Sequence, residues 1–265
     1  MTTNSDKSSF KEKFDLSNTS IIIHFRKDHQ DRVDNLHRIV SYLCKFLNFK
    51  ELIIINDNSL LDEEMRSFKD NNKIIPLFFE NHDHFKKSQC FNIGAKYATG
   101  EILCFYDVDV LIEGQYLSLA QEQILNGAFD HIYPFTGYFV NIKKSAFEHV
   151  LPTYNFDFLL EKLPKYDLSW TTDYLEPASN ESPGGCNLIS RKAFKKIGGY
   201  DERFIGWGYE DTDFLIRSRN SNKVAYLTEK NAICWHLSHD NAIRLENPHY
   251  NNNIKVFNEN RLYTT

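Results

Sequence analysis

No stretch of the 265 residues approaches the ~18 consecutive apolar residues of a membrane span. Met1 to Ser20 is polar and mixed in charge, without the apolar core of a secretion signal. The chain also lacks paired cysteine spacings. Cys44, Cys90, Cys104, Cys186 and Cys234 are an odd, scattered set that reads as buried thiols of a reducing compartment. Gly and Pro are scarce at 11 and 7, which excludes collagen-like and disordered classes. Basic charge is not in excess either: Lys plus Arg number 31 against 36 for Asp plus Glu, a net charge of −5. That argues against the broad basic face of a nucleic-acid binder, so an anionic ligand would need a local device to hold it. What is present is 42% hydrophobic and 14% aromatic residues, enough for a sizeable core. The length suits one large domain or two closely packed halves. The expectation is a cytoplasmic protein without a transmembrane segment.

After a polar lead-in over 1–19, the burst Ser20-Ile21-Ile22-Ile23-His24-Phe25 is short, β-branched and apolar on both faces, as a buried strand is. Val33, Leu36, Ile39, Val40, Leu43, Cys44 and Leu47 recur at three- and four-residue steps and predict a helix. Leu52 to Ile55, Lys73 to Phe79 and Ile102 to Tyr106 read as further strands, with a helix from Lys87 to Tyr97. This alternation predicts an α/β fold with a mostly parallel central sheet flanked by helices. In such sheets ligands bind beyond the carboxyl ends of the strands. Three polar clusters fall there: His24-Phe25-Arg26, Asn56-Asp57-Asn58-Ser59 and Asp107-Val108-Asp109. Leu151 to Gly185 reads as long loops with short helices. Its stripe of Phe156, Phe158, Leu159, Leu160 and Leu163 suits core packing, with peripheral contact at the inner membrane face as the alternative.

Four segments carry chemistry. In Asp107-Val108-Asp109, carboxylates two apart at the end of a strand would point the same way. Two such charges are costly without a cation between them, and hard oxygens favour Mg²⁺ or Mn²⁺. The plainer reading is a polar turn with capping aspartates. Gly184-Gly185-Cys186-Asn187 precedes a helix-like Arg191 to Ile197. In Gly206-Trp207-Gly208-Tyr209-Glu210-Asp211, glycines flank an indole that is either a ligand platform or a core anchor. Glu210 and Asp211 then fall in the first turn of a helix, where negative charge is favoured. His236 and His239 close the set beside Asp240.

In this order the segments resemble nucleotide-sugar glycosyltransferases of the GT-A (Rossmann-like) fold. They are most like the β-1,4-galactosyltransferase-like group and the catalytic domains of bacterial chondroitin-type polymerases. The likeness spans roughly 20–260 and implies one domain over 20–265, with a nucleotide-binding half at 20–130 and an acceptor-binding half at 131–265. By resemblance, Phe25, Arg26, Asp57, Lys87, Asn92, Asp107 and Gly185 would bind the donor nucleotide and sugar. Asp107, Asp109 and His236 would hold Mn²⁺ or Mg²⁺, with His239 as the alternative histidine. Trp207 and Tyr209 would meet the acceptor. Asp211 would be the general base, and Glu210 would position sugar hydroxyls; Asp213 is read as bonding the local helix. His24 stands where the group has proline, Lys87 where it has arginine, and Thr212 where the eukaryotic enzymes have a further Asp.

One base and no enzyme nucleophile implies an inverting transfer of a hexose or N-acetylhexosamine from a UDP-sugar. The expected acceptor is a glycan of bacterial surface polysaccharide (capsule, O-antigen or lipo-oligosaccharide), lipid-linked in the natural case. Three rivals stand beside this reading. One is a retaining transferase, because polypeptide N-acetylgalactosaminyltransferases share a comparable Trp-Gly-Gly-Glu region. Another is a non-catalytic sugar-binding protein of the same fold. The third, a nucleotidyltransferase, is disfavoured by the lack of an early Gly-rich, Lys/Arg-bearing loop.

Overall fold

A computed structural model describes residues 12–57, 63–68, 70–239 and 247–262. Most of the polar lead-in, Asn58, Ser59 and Asp240 lie outside the described residues. The first half runs β1 (Phe14–Phe25), α1 (Gln30–Phe46), β2 (Leu47–Asn56), α2 (Glu63–Ser67), β3 (Ile74–Phe78), α3 (Lys87–Tyr97), β4 (Ile102–Asp107), β5 (Val110–Leu111) and α4 (Gly114–Leu125). Next come β6 (His131–Tyr133), β7 (Phe139–Ile142), α5 (Phe147–Val150), α6 (Phe156–Lys162), β8 (Leu175–Ser179) and β9 (Cys186–Ser190). The chain continues through α7 (Arg191–Lys196), α8 (Glu210–Arg219), β10 (Val224–Tyr226), β11 (Cys234–Leu237) and α9 (Tyr250–Leu262).

The apolar bursts become the inner strands of a seven-stranded sheet ordered β10-β6-β9-β4-β1-β2-β3. β1 is parallel to both β2 and β4, and β2 to β3. Ile21, Ile22 and Ile23 are wholly buried because helices cover both faces. Ile21, Ile23 and Phe25 join the larger core with α1 and α4, while Ile22, Ile53 and Ile55 join a second core with α3. Gly94 lets α3 lie directly on that face: a Cβ there would stand 2.4 Å from Ile22 Cγ2.

β9 enters antiparallel to both β4 and β6, so strands from 20–130 and from 131–265 share one sheet. A four-stranded sheet, β5-β11-β7-β8, carries the Cys234–Leu237 segment beside Val110 and Leu111.

Two expectations need correction. β1 starts at Phe14 rather than Ser20, with irregular register between Leu16 and Ser20. Its early part alternates a buried Leu16 with exposed Asp15 and Ser17, so it reads as polar lead-in although it pairs with β2. Phe25 does not face a ligand site; it is wholly buried in the core. The stripe from Phe156 to Leu163 is core-facing, with Leu159 fully buried and its neighbours packed against the main cluster. Among the described residues, no helix is long and apolar enough to cross a membrane.

Candidate active site

The strand ends converge on a cleft of about 280 Å³, lined by side chains from the β1–α1 loop, α1, α3, the β4–β5 turn, the loop before β9, the turn before α8, and β11. Lys87, at the start of α3, is among the residues lining it. Its Nζ lies 2.9 Å from Asp107 Oδ1 and 2.9 Å from Asp211 Oδ2, and is almost closed off from solvent. Burial alone would lower the lysine pKa, but Asp107, Asp211 and Glu210 outweigh it and hold it well above its ordinary value. Lys87 is therefore a fixed cation. Asp211 is pushed up to about 7: burial raises it most, Lys87 opposes, and repulsion from Glu210 and Asp107 adds to the rise. One lysine facing several carboxylates leaves Asp211 as the weak acid of the set.

The fold presents Asp211 through a strained turn. Tyr209 takes the left-handed backbone region, with φ of 72°, immediately before α8. The buried Glu210 accepts a hydrogen bond from Gly208 N at 2.9 Å through Oε2. Asn247 and Asn253 donate to the carbonyls of Trp207 and Gly208, at 2.8 and 3.1 Å, tying the turn to the region of α9. Trp207 is 41% exposed and lines the cleft, so it is a platform and not a core anchor. Asp213 does bond its own helix, 2.7 Å from Arg217 Nε. Gly184 abuts Asp211: a Cβ there would lie 2.8 Å from its Oδ2. Gly185, at φ +91°, donates through its amide to Asp107 Oδ2 at 3.3 Å.

The paired-aspartate expectation is met only in part. β4 ends at Asp107, and Val108 and Asp109 form a turn, so strand alternation does not bring the two carboxylates together. Asp107 joins Lys87 and Asp211. Asp109 instead joins His236 and His239, the three offering ligand atoms within 4.8 Å of one another. His239 Nε2 lies 3.2 Å and His236 Nε2 3.7 Å from Asp109 Oδ2. The other nitrogen of His236, Nδ1, is 2.9 Å from Asn141 Oδ1 and donates to it. An imidazole steadied on one nitrogen with the other turned to a carboxylate is the usual posture of a metal-ligating histidine. Burial would raise the Asp109 carboxyl, but His236, His239 and Arg32 hold it well below its ordinary range. One carboxylate and two imidazoles suit Mn²⁺ better than Mg²⁺, which prefers oxygen alone.

Two further expectations are displaced, along with Phe25. Asp57 is wholly buried behind the cleft, not in its wall. It sits 3.0 Å from His24 Nε2 and 3.7 Å from Arg26 Nη1, and Lys86 N donates to it at 3.1 Å. Burial would raise its pKa, yet His24, the Lys86 amide and Arg26 keep it lowered. Asp57 thus anchors His24 and Arg26, which do line the cleft. Asn92 is also structural: it bonds both the amide and the carbonyl of Tyr200, each at 2.9 Å, to hold the turn before the cleft. The residues without a sequence signal were His29, Arg32 and Phe85. Arg32, in the first turn of α1, reaches to 3.6 Å from Asp109 Oδ2, and Phe85 stacks on His24 with ring centroids 6.0 Å apart.

The profile of the family "Glycosyltransferase like family 2" matches residues 20–241. Polypeptide N-acetylgalactosaminyltransferase 3 of Taeniopygia guttata is 27% identical over 225 residues, covering 78% of this chain and 36% of that protein. Polypeptide N-acetylgalactosaminyltransferase 4 of Mus musculus is 23% identical over 216 residues, covering 76% and 36%. The chain thus spans about a third of the length of these relatives. Among solved structures, S. aureus TarS 1-349 in complex with UDP-GlcNAc superimposes with a TM-score of 0.60 at 13% identity, covering 92% of this chain and 66% of that one. GalNAc-T7 with UDP, GalNAc and Mn²⁺ gives 0.57 at 17% identity, covering 88% and 45%. The mixed α/β domain with its largely parallel sheet is thus a GT-A fold, and the chain belongs to glycosyltransferase-like family 2.

Proposed function

We propose that the chain is an inverting, metal-dependent transferase that moves a hexose or N-acetylhexosamine from a UDP-sugar to a glycan acceptor, as in bacterial surface polysaccharide synthesis. The observation that carries this reading is Asp211: a half-buried carboxyl with a pKa of about 7, lining a cleft that also holds Asp109, His236 and His239. A base poised near neutral pH accepts a proton most effectively at working pH. The TarS complex with UDP-GlcNAc and the GalNAc-T7 complex with UDP and Mn²⁺ support a UDP-sugar donor and a divalent cation.

Asp109, His236 and His239 would hold the cation, which supplies Lewis-acid stabilisation of a departing diphosphate. The remaining work falls to the chain's own groups. Asp211 takes the proton from the acceptor hydroxyl as its oxygen bonds the anomeric carbon. The bond from that carbon to the diphosphate oxygen breaks, and UDP leaves with the electron pair. Lys87 offsets the charge collected around Asp211 and Asp107. Arg26 and Arg32 give the cleft cationic faces for phosphate oxygens, and Trp207 aligns a sugar ring by its face.

Asp211→Asn keeps the side-chain shape and removes the base. Transfer is expected to fall on the order of 10²–10⁴-fold while UDP binding by calorimetry persists; near-normal transfer would eliminate Asp211 as the base. The named relatives belong to the group raised above as a retaining rival, so the anomeric configuration of the product, read by NMR, decides between the two. Inversion supports the single-base reading, and retention replaces it.

A further inference from the structure

Beyond the cleft, at the edge where Trp207 emerges, a second exposed ring continues the aromatic surface. Tyr250 opens α9 and is 37% exposed. Its ring is parallel to Trp207 within 7°, with centroids 6.2 Å apart. That is towards the far end of the range for aromatic contact, and both rings are more than a third exposed to solvent. The spacing is near that of consecutive sugar rings in a glycan.

The pair is built into the fold. A Cβ on Gly208 would meet the Tyr250 ring at 3.0 Å, so glycine there lets the ring lie against the turn. The neighbouring Tyr209 raises the Tyr250 pKa, and the Tyr209 ring lies between Tyr250 and Phe257, at 5.7 and 4.9 Å. Polar groups flank the rings. Asp83, His84 and His249 place their donor and acceptor atoms within 4.8 Å of one another. Their loop is joined to the turn by the bond from Gly206 N to Phe85 O at 2.9 Å.

The geometry points to an outer acceptor subsite, in which Trp207 and Tyr250 carry two successive sugar units of a glycan and the Asp83–His84–His249 group bonds their hydroxyls. It rests on the transferase reading above and names its acceptor class: an oligosaccharide rather than a single sugar. Apolar C–H faces of pyranose rings pack on aromatic faces, while their hydroxyls seek carboxylates and imidazoles at the edge. A peptide lying here would want backbone partners, and those are taken. The carbonyls of Ile205, Trp207 and Gly208 already accept from Asn247 and Asn253.

The test compares transfer to N-acetylglucosamine with transfer to chitobiose, and to galactose with lactose, in the wild type, Tyr250→Ala and Tyr250→Phe. Binding of the same sugars without donor is followed by saturation-transfer NMR, and thermal melting checks the fold. The wild type is expected to prefer disaccharides by about tenfold in KM, roughly one aromatic contact. Tyr250→Ala should erase that preference and Tyr250→Phe keep it. Equal use of one- and two-unit sugars by the wild type, an unchanged preference in Tyr250→Ala, or transfer to Ser/Thr peptides in place of glycans would each overturn the subsite. If Tyr250-dependent disaccharide binding occurs but no UDP-sugar is consumed, the subsite stands and the transferase reading falls.

Discussion

In the proposed mechanism, Lys87 sets the working range of Asp211 as the base. Because Asp211 is held near 7, it is protonated and idle below that pH and competent above it. The profile of kcat/KM should therefore rise with pH along an acid limb near 7. Lys87 lowers the Asp211 pKa, so Lys87→Gln should move that limb to higher pH, with Asp107 and Glu210 still repelling the charge. A limb that stays in place would sever the link between the two residues. The parts of this site legible in the sequence were those with a local signature: Asp107 and Asp109 after a buried strand, Gly185 in a glycine pair, and the Trp207–Asp211 run. What sequence order could not convey is which groups meet. Asp107 and Asp109 part company because the strand ends between them. Asp57 and Asn92 became supports, since whether a polar residue faces ligand or neighbour depends on residues distant in the chain. Arg32 comes from, and His29 caps, an ordinary amphipathic helix, where polar residues carry no mark of their use.

At the level of elements, the seating of α3 on the sheet positions Lys87. Alanine is worth about 1 kcal/mol over glycine inside a helix, so Gly94→Ala would stabilise α3 in isolation. The added Cβ, however, would stand 2.4 Å from Ile22 Cγ2 and 2.8 Å from Ile55 Cδ1, both in fully buried side chains. Overpacking of this kind costs typically 1–3 kcal/mol. A net loss of up to about 2 kcal/mol in urea unfolding is expected, together with weaker turnover as Lys87 shifts; a more stable variant would show that the helix slides freely. The three isoleucines of β1 were readable as a doubly covered strand because nothing polar interrupts them. β5, β7, β8 and β11 were not readable, because short strands take their pairing from partners rather than from their own pattern. On β11, His236 and nearby His239 meet Asp109 across β5. Chelation with EDTA should stop transfer and Mn²⁺ restore it. His236→Ala and His239→Ala should each weaken Mn²⁺ binding in calorimetry by 10-fold or more; unaltered affinity in both would remove the cluster as the metal site.

For the molecule as a whole, the two halves are not separable. β9 pairs antiparallel with β4 over five residue pairs from Ile102↔Ser190 to Tyr106↔Cys186, and β6 then pairs with β9. A fragment of residues 1–130 would leave β4 with a bare, apolar edge, and should aggregate or stay unfolded by circular dichroism; a soluble, cooperatively melting fragment would show an independent domain. The seam also governs how substrates enter. Lobes joined only by a linker can swing like a jaw, but here Lys87 and Asp211 descend from helices resting on one continuous sheet, and any wide swing would tear its ladder. Admission and release must then be managed at the lips, by rotation of rim side chains and bending of the loops around Trp207. An unyielding mouth of this kind favours a threaded, elongated guest that slides past a stationary reaction point.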